Sequence, residues 1–325
     1  AMELLQTPEE ILDDAVSYIR IIFWGIGASV LFNLGSNTMR ALGDSRTPLY
    51  FLIFACCVNI VLDIVLIAVV GMGVAGAGVA TIFSQLLSGI CCFVYIWKKM
   101  PVLRINRHHF HLAKKQLGDH LRVAFPMAFQ MSIIAIGALI LPFARNGLGA
   151  VSVAAYTAAQ KIDSIATMPL NSLGQAMTTY TAQNYGAGKM DRVKKGYRAS
   201  LLTVGIWGLL VTAIFVFAPN TIARIFFHEP KAIAIAVSYL IIIGLSEAFL
   251  CVEITTIGAI SGLGKTHLCS IISILFTSMR IPLAIVLGNT SLGLDGIWWA
   301  LSSTTMIKGI IFTGTFFWIT RRKKA

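Results

Sequence analysis

Acidic side chains stand inside stretches of this chain that are otherwise apolar: Asp63, Asp163, Glu247 and Glu253. The bases Arg20, Lys161, Arg280 and Lys308 do the same. A charged side chain at the centre of a bilayer costs about 2.5–3.5 kcal/mol on insertion scales, so each is a candidate for ion or substrate chemistry. Asn59 and Asp63 are four residues apart and share one face of a helix. An amide oxygen beside a carboxylate suits Na⁺, and the same carboxylate can carry a proton instead. Thr81, on the next apolar stretch, adds a hydroxyl. The plainer alternative is that Asn59 and Asp63 only tie helices together by hydrogen bonds. Glu253 lies between Cys251 and the pair Thr255-Thr256, deep in its stretch, and is a second candidate for a cation. Glu247, six residues earlier, is expected to point to another face. Lys161 and Asp163 are two apart and do not face each other on one helix, so each is expected to pair across helices. Arg280 is placed to balance Glu253 or Asp163. Arg20 stands near a stretch end and can snorkel; Lys308 sits nearer mid-stretch and is left without a role.

The elements that must hold these residues are membrane helices. Hydrophobic residues make up 57% of the 325, charged residues 12%, and mean hydropathy is +0.79. The apolar excess falls into blocks of bilayer-spanning length. Nine spans are expected, at 15–37, 49–69, 75–97, 123–143, 152–180, 199–217, 233–259, 268–287 and 296–318. The intervening segments, taken alternately, divide the 26 Lys and Arg very unequally. Segments 38–48, 98–122, 181–198, 260–267 and 319–325 hold 19 of them, and the other set holds only Arg145, Arg224 and Lys231. That bias follows the positive-inside rule, placing the first set and the C-terminus in the cytoplasm. The net charge of +12 is therefore topological, and no nucleic acid is expected as a partner. The six cysteines form no Cys-x-x-Cys pattern and read as apolar packing residues. His108, His109 and His111 lack a carboxylate or Cys at ligand spacing and read as a solvated linker. No nucleophile–base–acid set and no phosphate loop is present.

The chain also repeats itself at an offset of 221. Ala15-Val16-Ser17-Tyr18 recurs as Ala236-Val237-Ser238-Tyr239, Leu42-Gly43 as Leu263-Gly264, and Trp97 as Trp318. Both copies run in one direction by the charge rule, which implies a pseudo-twofold axis along the membrane normal, a transporter architecture. The spans from 123 to 217 have no upstream partner, so about 100 residues, three helices, are expected ahead of residue 1. The expected fold class is an all-α polytopic membrane protein of two six-helix bundles, with the first three helices absent and nine spans present. Residues 1–97 form the rest of the N-terminal bundle, 98–122 a cytoplasmic linker carrying an interfacial helix, and 123–325 the C-terminal bundle.

Certain segments, in order, resemble the multidrug and toxic compound extrusion (MATE) family. They are Arg40-Ala41-Leu42-Gly43-Asp44-Ser45-Arg46-Thr47-Pro48, Asn59-Ile60-Val61-Leu62-Asp63, Gly71-Met72-Gly73-Val74-Ala75-Gly76, Ala80-Thr81, Gln183-Asn184-Tyr185-Gly186-Ala187-Gly188-Lys189, Ala259 to Thr266 and Arg280-Ile281-Pro282-Leu283. The resemblance runs the whole length of the chain. It implies export of amphiphilic, often cationic compounds by Na⁺ or H⁺ antiport, through alternating access in a bacterial inner membrane. No cofactor beyond the coupling ion and no obligatory protein partner is implied. It also implies that Asn59, Asp63 and Thr81 belong to an N-terminal-lobe cation site, and that the helix of Glu253 carries a second site. The seventh-helix acid of some members is absent here; Gln130 is the main polar group between Phe125 and Ile140. Gln130, Tyr156, Lys161, Asp163, Met168 and Arg280 are the candidates for a substrate cavity, with Met127, Met131, Met177 and Phe129 as pliable neighbours. The rival readings are a lipid-linked precursor flippase, which should show a more basic cavity than Lys161 and Arg280 provide, and a membrane enzyme or receptor.

Overall fold

A helix whose apolar residues run all round it has to be buried on every side or face lipid. Eleven helices of this kind and its amphipathic variants make up the described part of the chain, residues 9–103, 114–143 and 150–321 of a computed structural model. They are α1 (Glu9–Trp24), α2 (Ile26–Ala41), α3 (Arg46–Asp63), α4 (Gly73–Lys99), α5 (Lys114–Phe143), α6 (Ala150–Gly186), α7 (Met190–Phe217), α8 (Pro219–Phe226), α9 (Pro230–Gly262), α10 (Thr266–Gly288) and α11 (Leu294–Arg321). No strand occurs among the described residues. The histidine cluster at 108–111 lies outside them. Among the described residues, five helical segments are long and apolar enough to cross a membrane, and a sixth if α1 and α2 form one bent span. Large apolar side chains stand on the outside, among them Trp24 at 87% and Phe217 at 85% exposure. Water would not tolerate that surface; lipid does.

Two compact units divide the chain, Ala1–His111 and Leu112–Ala325. In the first, α4 packs against α1, α2 and α3. Small residues on α4 permit this, since Gly78, Ala80, Ser84, Ser88 and Gly89 are all buried. The expected span 15–37 is broken: α1 and α2 meet at an angle of 46° at Gly25. A β-carbon there would lie 2.1 Å from Cγ1 of Ile82 on α4, so only glycine fits the corner. In the second unit α9 is the centre, packed on α6, α7 and α11, while α10 joins α11 to α5. The interfacial helix expected before residue 123 is not separate. Leu117 and Leu121 belong to α5, which runs on into the apolar stretch without a break.

The repeat is visible in the backbone. Leu42 donates to the carbonyls of Thr38 and Met39, Gly43 to Arg40 and Asp44 to Met39. Leu263 donates to Ala259 and Ile260, Gly264 to Ser261 and Lys265 to Ile260, each partner displaced by the same 221 positions. Gly43 and Gly264 hold φ of +93° and +74°, the left-handed value that closes a helix C-terminus. Just beyond, Asp44 Oδ1 accepts the Thr47 amide at 3.0 Å at the start of α3. Its slight burial raises its pKa, but bonds from Thr47 and the Arg46 amide outweigh that and hold it below the usual carboxylate value.

Candidate functional site

In the first unit, Asn59 and Asp63 occupy the last turns of α3, which passes directly into a π-helical turn, Ile64–Val69. Such turns are frequent at functional positions. Asn59 Nδ2 and Asp63 Oδ1 are buried and make no hydrogen bond. Among the described residues no basic group lies within 4.0 Å of Asp63. Thr81, on α4, donates to the Ala77 carbonyl at 2.9 Å. Its proton is thus committed to its own helix and no hydrogen bond joins it to Asp63, while its oxygen can still accept or ligate. Buried polar atoms left unpaired are costly. The donor set, an amide, a carboxylate and a hydroxyl, is one that Na⁺ takes, or a proton at Asp63 alone.

The second unit encloses a cavity of about 510 Å³ between α5, α6, α9, α10 and α11. It brings together residues scattered over almost 180 positions: Gln130, Tyr156, Asp163, Glu247, Glu253, Arg280 and Lys308 all reach its wall. Gln130 is fixed by α10, its Nε2 donating to Ser273 Oγ at 2.9 Å and its Oε1 accepting from Ser270 at 3.4 Å. Lys308 Nζ donates to Glu253 Oε1 at 2.6 Å, a buried ion pair. Arg280 donates from Nε to Thr304 Oγ1 at 3.1 Å and from Nη2 to Thr305 Oγ1 at 3.3 Å. Tyr156 stacks on Trp298 at 4.9 Å between ring centres, and Tyr239 meets both edge-on.

Asp163 and Glu247 are neighbours where α6 packs on α9, and Asp163 Oδ1 and both Glu247 carboxylate oxygens are buried with no hydrogen-bond partner. The neighbour of Asp163 across the helices is thus an acid rather than a base, and no ion pair joins Asp163 to another described residue. The expectation that Glu247 and Glu253 look in different directions holds along the helix, yet both reach one cavity. Six residues fall about 120° short of two whole turns of a helix. Glu247 meets α6 and Glu253 meets α11, and α9 lies between the two.

Lys161 and Met168 stand outside this cavity wall. Lys161 is exposed and Met168 is 62% exposed. Each is turned about 140–160° around α6 from Asp163, whereas Tyr156, seven residues before it, returns to the same face. Of the pliable neighbours, Met131 borders the cavity, Met177 is packed in the core, and Met127 and Phe129 are exposed. Among the described residues Arg280 does not pair directly with an acid; the partner of Glu253 is Lys308. Glu247 and Lys308 were left without a site by sequence reasoning. Their only advance signal was the cost of any charge in so apolar a helix.

The fold and these sites can be set beside known proteins. A family model described as MatE matches residues 1–65 and 126–286, more than half of the chain. The probable multidrug resistance protein YoeA of Bacillus subtilis is 26% identical over 99% of this chain and 72% of its own length. The probable multidrug resistance protein NorM of Thermotoga maritima is 32% identical over 94% of this chain and 66% of its own. A solved structure, described as the outward-facing conformation of a multidrug resistance MATE family transporter of the MOP superfamily, superposes with a TM-score of 0.88 at 25% identity. It is covered over 72% of its chain, against 98% of this one. The chain thus spans between 66% and 72% of these proteins. The MatE match, the relatives and the shared fold establish that the chain belongs to the MatE family of MATE multidrug transporters.

Proposed function

We propose that this chain serves secondary active export of amphiphilic cationic molecules from a bacterial cell, exchanging them for Na⁺ or H⁺ by alternating access. Its nine spans lie within an architecture of two six-helix bundles, 1–97 and 123–325 joined by 98–122, with the C-terminus in the cytoplasm. The observation that carries the reading is the pair Asn59 and Asp63. A carboxylate in a membrane span, with a buried oxygen and no base beside it, is stable only when something cationic visits it. A coupling ion and a cationic drug then compete for the same negative region. Coupling requires that each favour a different conformational state. The adjoining carboxyls of Asp163 and Glu247 give the second unit an acidic region of its own. The flippase reading gains little, because the cavity wall carries Asp163, Glu247 and Glu253 against Arg280 and Lys308, and Lys161 stands outside it.

The test is dye efflux from liposomes containing the protein. An inward Na⁺ or H⁺ gradient should drive ethidium out against its own gradient. Efflux that is equally fast with both gradients collapsed would defeat the antiport reading.

A further inference from the structure

The last turns of α11 divide cleanly into an inner and an outer face. Phe312, Phe316 and Ile319 turn inward, at 0%, 1% and 7% exposure. Gly314, Phe317, Trp318 and Arg321 are exposed, at the i, i+3, i+4 and i+7 spacing of one helix face. Two open grooves run along that face. One, of about 430 Å³, is walled by Gly314, Phe317, Trp318 and Arg321. The other, of about 460 Å³, lies towards α10, between Leu268 and Ile272 on that helix and Ile311, Gly314 and Trp318 on α11. Gly314 and Trp318 belong to both grooves. The Trp318 ring is the ridge that parts them, and Gly314 is the floor they share. A β-carbon on Gly314 would meet nothing within 4 Å, so the packing does not require glycine there. The repeat agrees, because the residue 221 positions earlier is Phe93.

The charge at the end of this face has one sign. Arg321 is exposed, and among the described residues no acid lies within 4.0 Å of it. Leu268 and Trp318 share a groove, so the start of α10 and the end of α11 lie at the same end of the unit. Lys265 and His267 are exposed there as well. The sequence goes on from Arg321 to Arg322, Lys323 and Lys324. Gly314 lies seven residues before Arg321, about 10 Å along the helix axis. Two apolar channels beneath a cation, at the water-facing end of a membrane helix, match two acyl chains beneath one phosphate.

We propose that this face of α11 binds one anionic diacyl phospholipid from the leaflet that meets the C-terminal end. The phosphate pairs with Arg321, and the two chains straddle Trp318, one in each groove. A tryptophan at headgroup depth is at home in that setting. The surplus of bases selects the headgroup: a phosphate with no second charge is drawn to Arg321 and Lys265, whereas a choline would bring a further cation against them. The site stands apart from the cavity of Glu253 and Arg280, and it depends on neither the direction of transport nor the coupling ion.

Native mass spectrometry of the purified protein counts the lipid it retains. The protein is titrated in detergent with dioleoylphosphatidylglycerol, dioleoylphosphatidylcholine or single-chain oleoyl-lysophosphatidylglycerol. The wild type should hold its first phosphatidylglycerol about tenfold more tightly than phosphatidylcholine, the scale of one charge-assisted pair. The single-chain lipid should also bind more weakly, because one groove stays empty. Arg321→Gln should erase the preference for phosphatidylglycerol and leave phosphatidylcholine where it was. Gly314→Phe installs the residue of the first repeat, fills the shared floor and should weaken both diacyl lipids. Equal retention of phosphatidylglycerol and phosphatidylcholine by the wild type overturns the proposal and needs no variant to fold. A lysolipid held as tightly as the diacyl lipid overturns it as well. So does undiminished phosphatidylglycerol retention by Gly314→Phe, which would make the preference a property of the basic end as a whole. No gradient enters the readout, so a failure of ethidium efflux would leave this result standing, and a failure here would leave cation export untouched.

Discussion

Replacing Glu253 with Ala is expected to destabilise the C-terminal unit by about 3–5 kcal/mol, the scale found when one partner of a buried ion pair is removed. Lys308 and Glu253 have side chains only 9% and 6% exposed, and their contact is 2.6 Å. The substitution strands Lys308, and it also takes from Arg280 the carboxylate that acts on its charge. The cost arises from two bases left in an apolar interior with no acid between them. It follows that Glu253→Ala combined with Lys308→Met should recover much of the loss, because a buried pair exchanged for apolar side chains is often close to neutral. Thermal unfolding of the detergent-solubilised protein measures both. If the single variant melts with the wild type, the pair is not buried in the way described here.

The second large effect is steric. α6 and α9 touch backbone to backbone where glycine permits it. A β-carbon on Gly258 would lie 2.3 Å from the Gly174 carbonyl oxygen, and one on Gly262 2.6 Å from that of Thr178. Neither obstacle is a flexible side-chain end, so the helices themselves would have to separate. Gly258→Leu should cost about 3 kcal/mol or more, at the upper end of overpacking penalties. It should also pull Asp163 and Glu247 apart, since they sit on the same two helices. Gly205, on α7, meets nothing within 4 Å, and Gly205→Ala should leave the melting temperature unchanged or raised. Equal melting temperatures for Gly258→Leu and Gly205→Ala would show that α6 and α9 do not meet there.

These two predictions also mark where the sequence could be read and where it could not. The helix C-termini at Leu42-Gly43 and Leu263-Gly264 were legible because the same dipeptide at a fixed offset demands the same left-handed closure. Asn59 and Asp63 could be placed on one face by spacing alone, since four residues are nearly one turn. The π-helical turn after Asp63 could not, because the apolar run Ile64–Val69 looks like any other helix. Contacts between helices were the larger blind spot. That Lys308 meets Glu253 across 55 residues depends on α9 lying against α11. That Glu247 finds Asp163 depends on α9 lying against α6. A single sequence sets the angle of each side chain around its own helix but not which helix stands opposite. Lys161 and Met168 show the same limit from the other side. They are polar or pliable residues on the right helix, turned away from the cavity by the helical period.

In the export mechanism proposed for this chain a carboxylate in the membrane exchanges a coupling ion for a cationic drug, and Asp63→Asn tests that exchange most directly. The amide keeps the shape and the hydrogen-bonding capacity of the site and removes the charge. In liposomes holding equal amounts of folded protein, the variant should lose gradient-driven ethidium efflux down to the level of protein-free liposomes. Efflux by Asp63→Asn at the wild-type rate under the same gradient would contradict it.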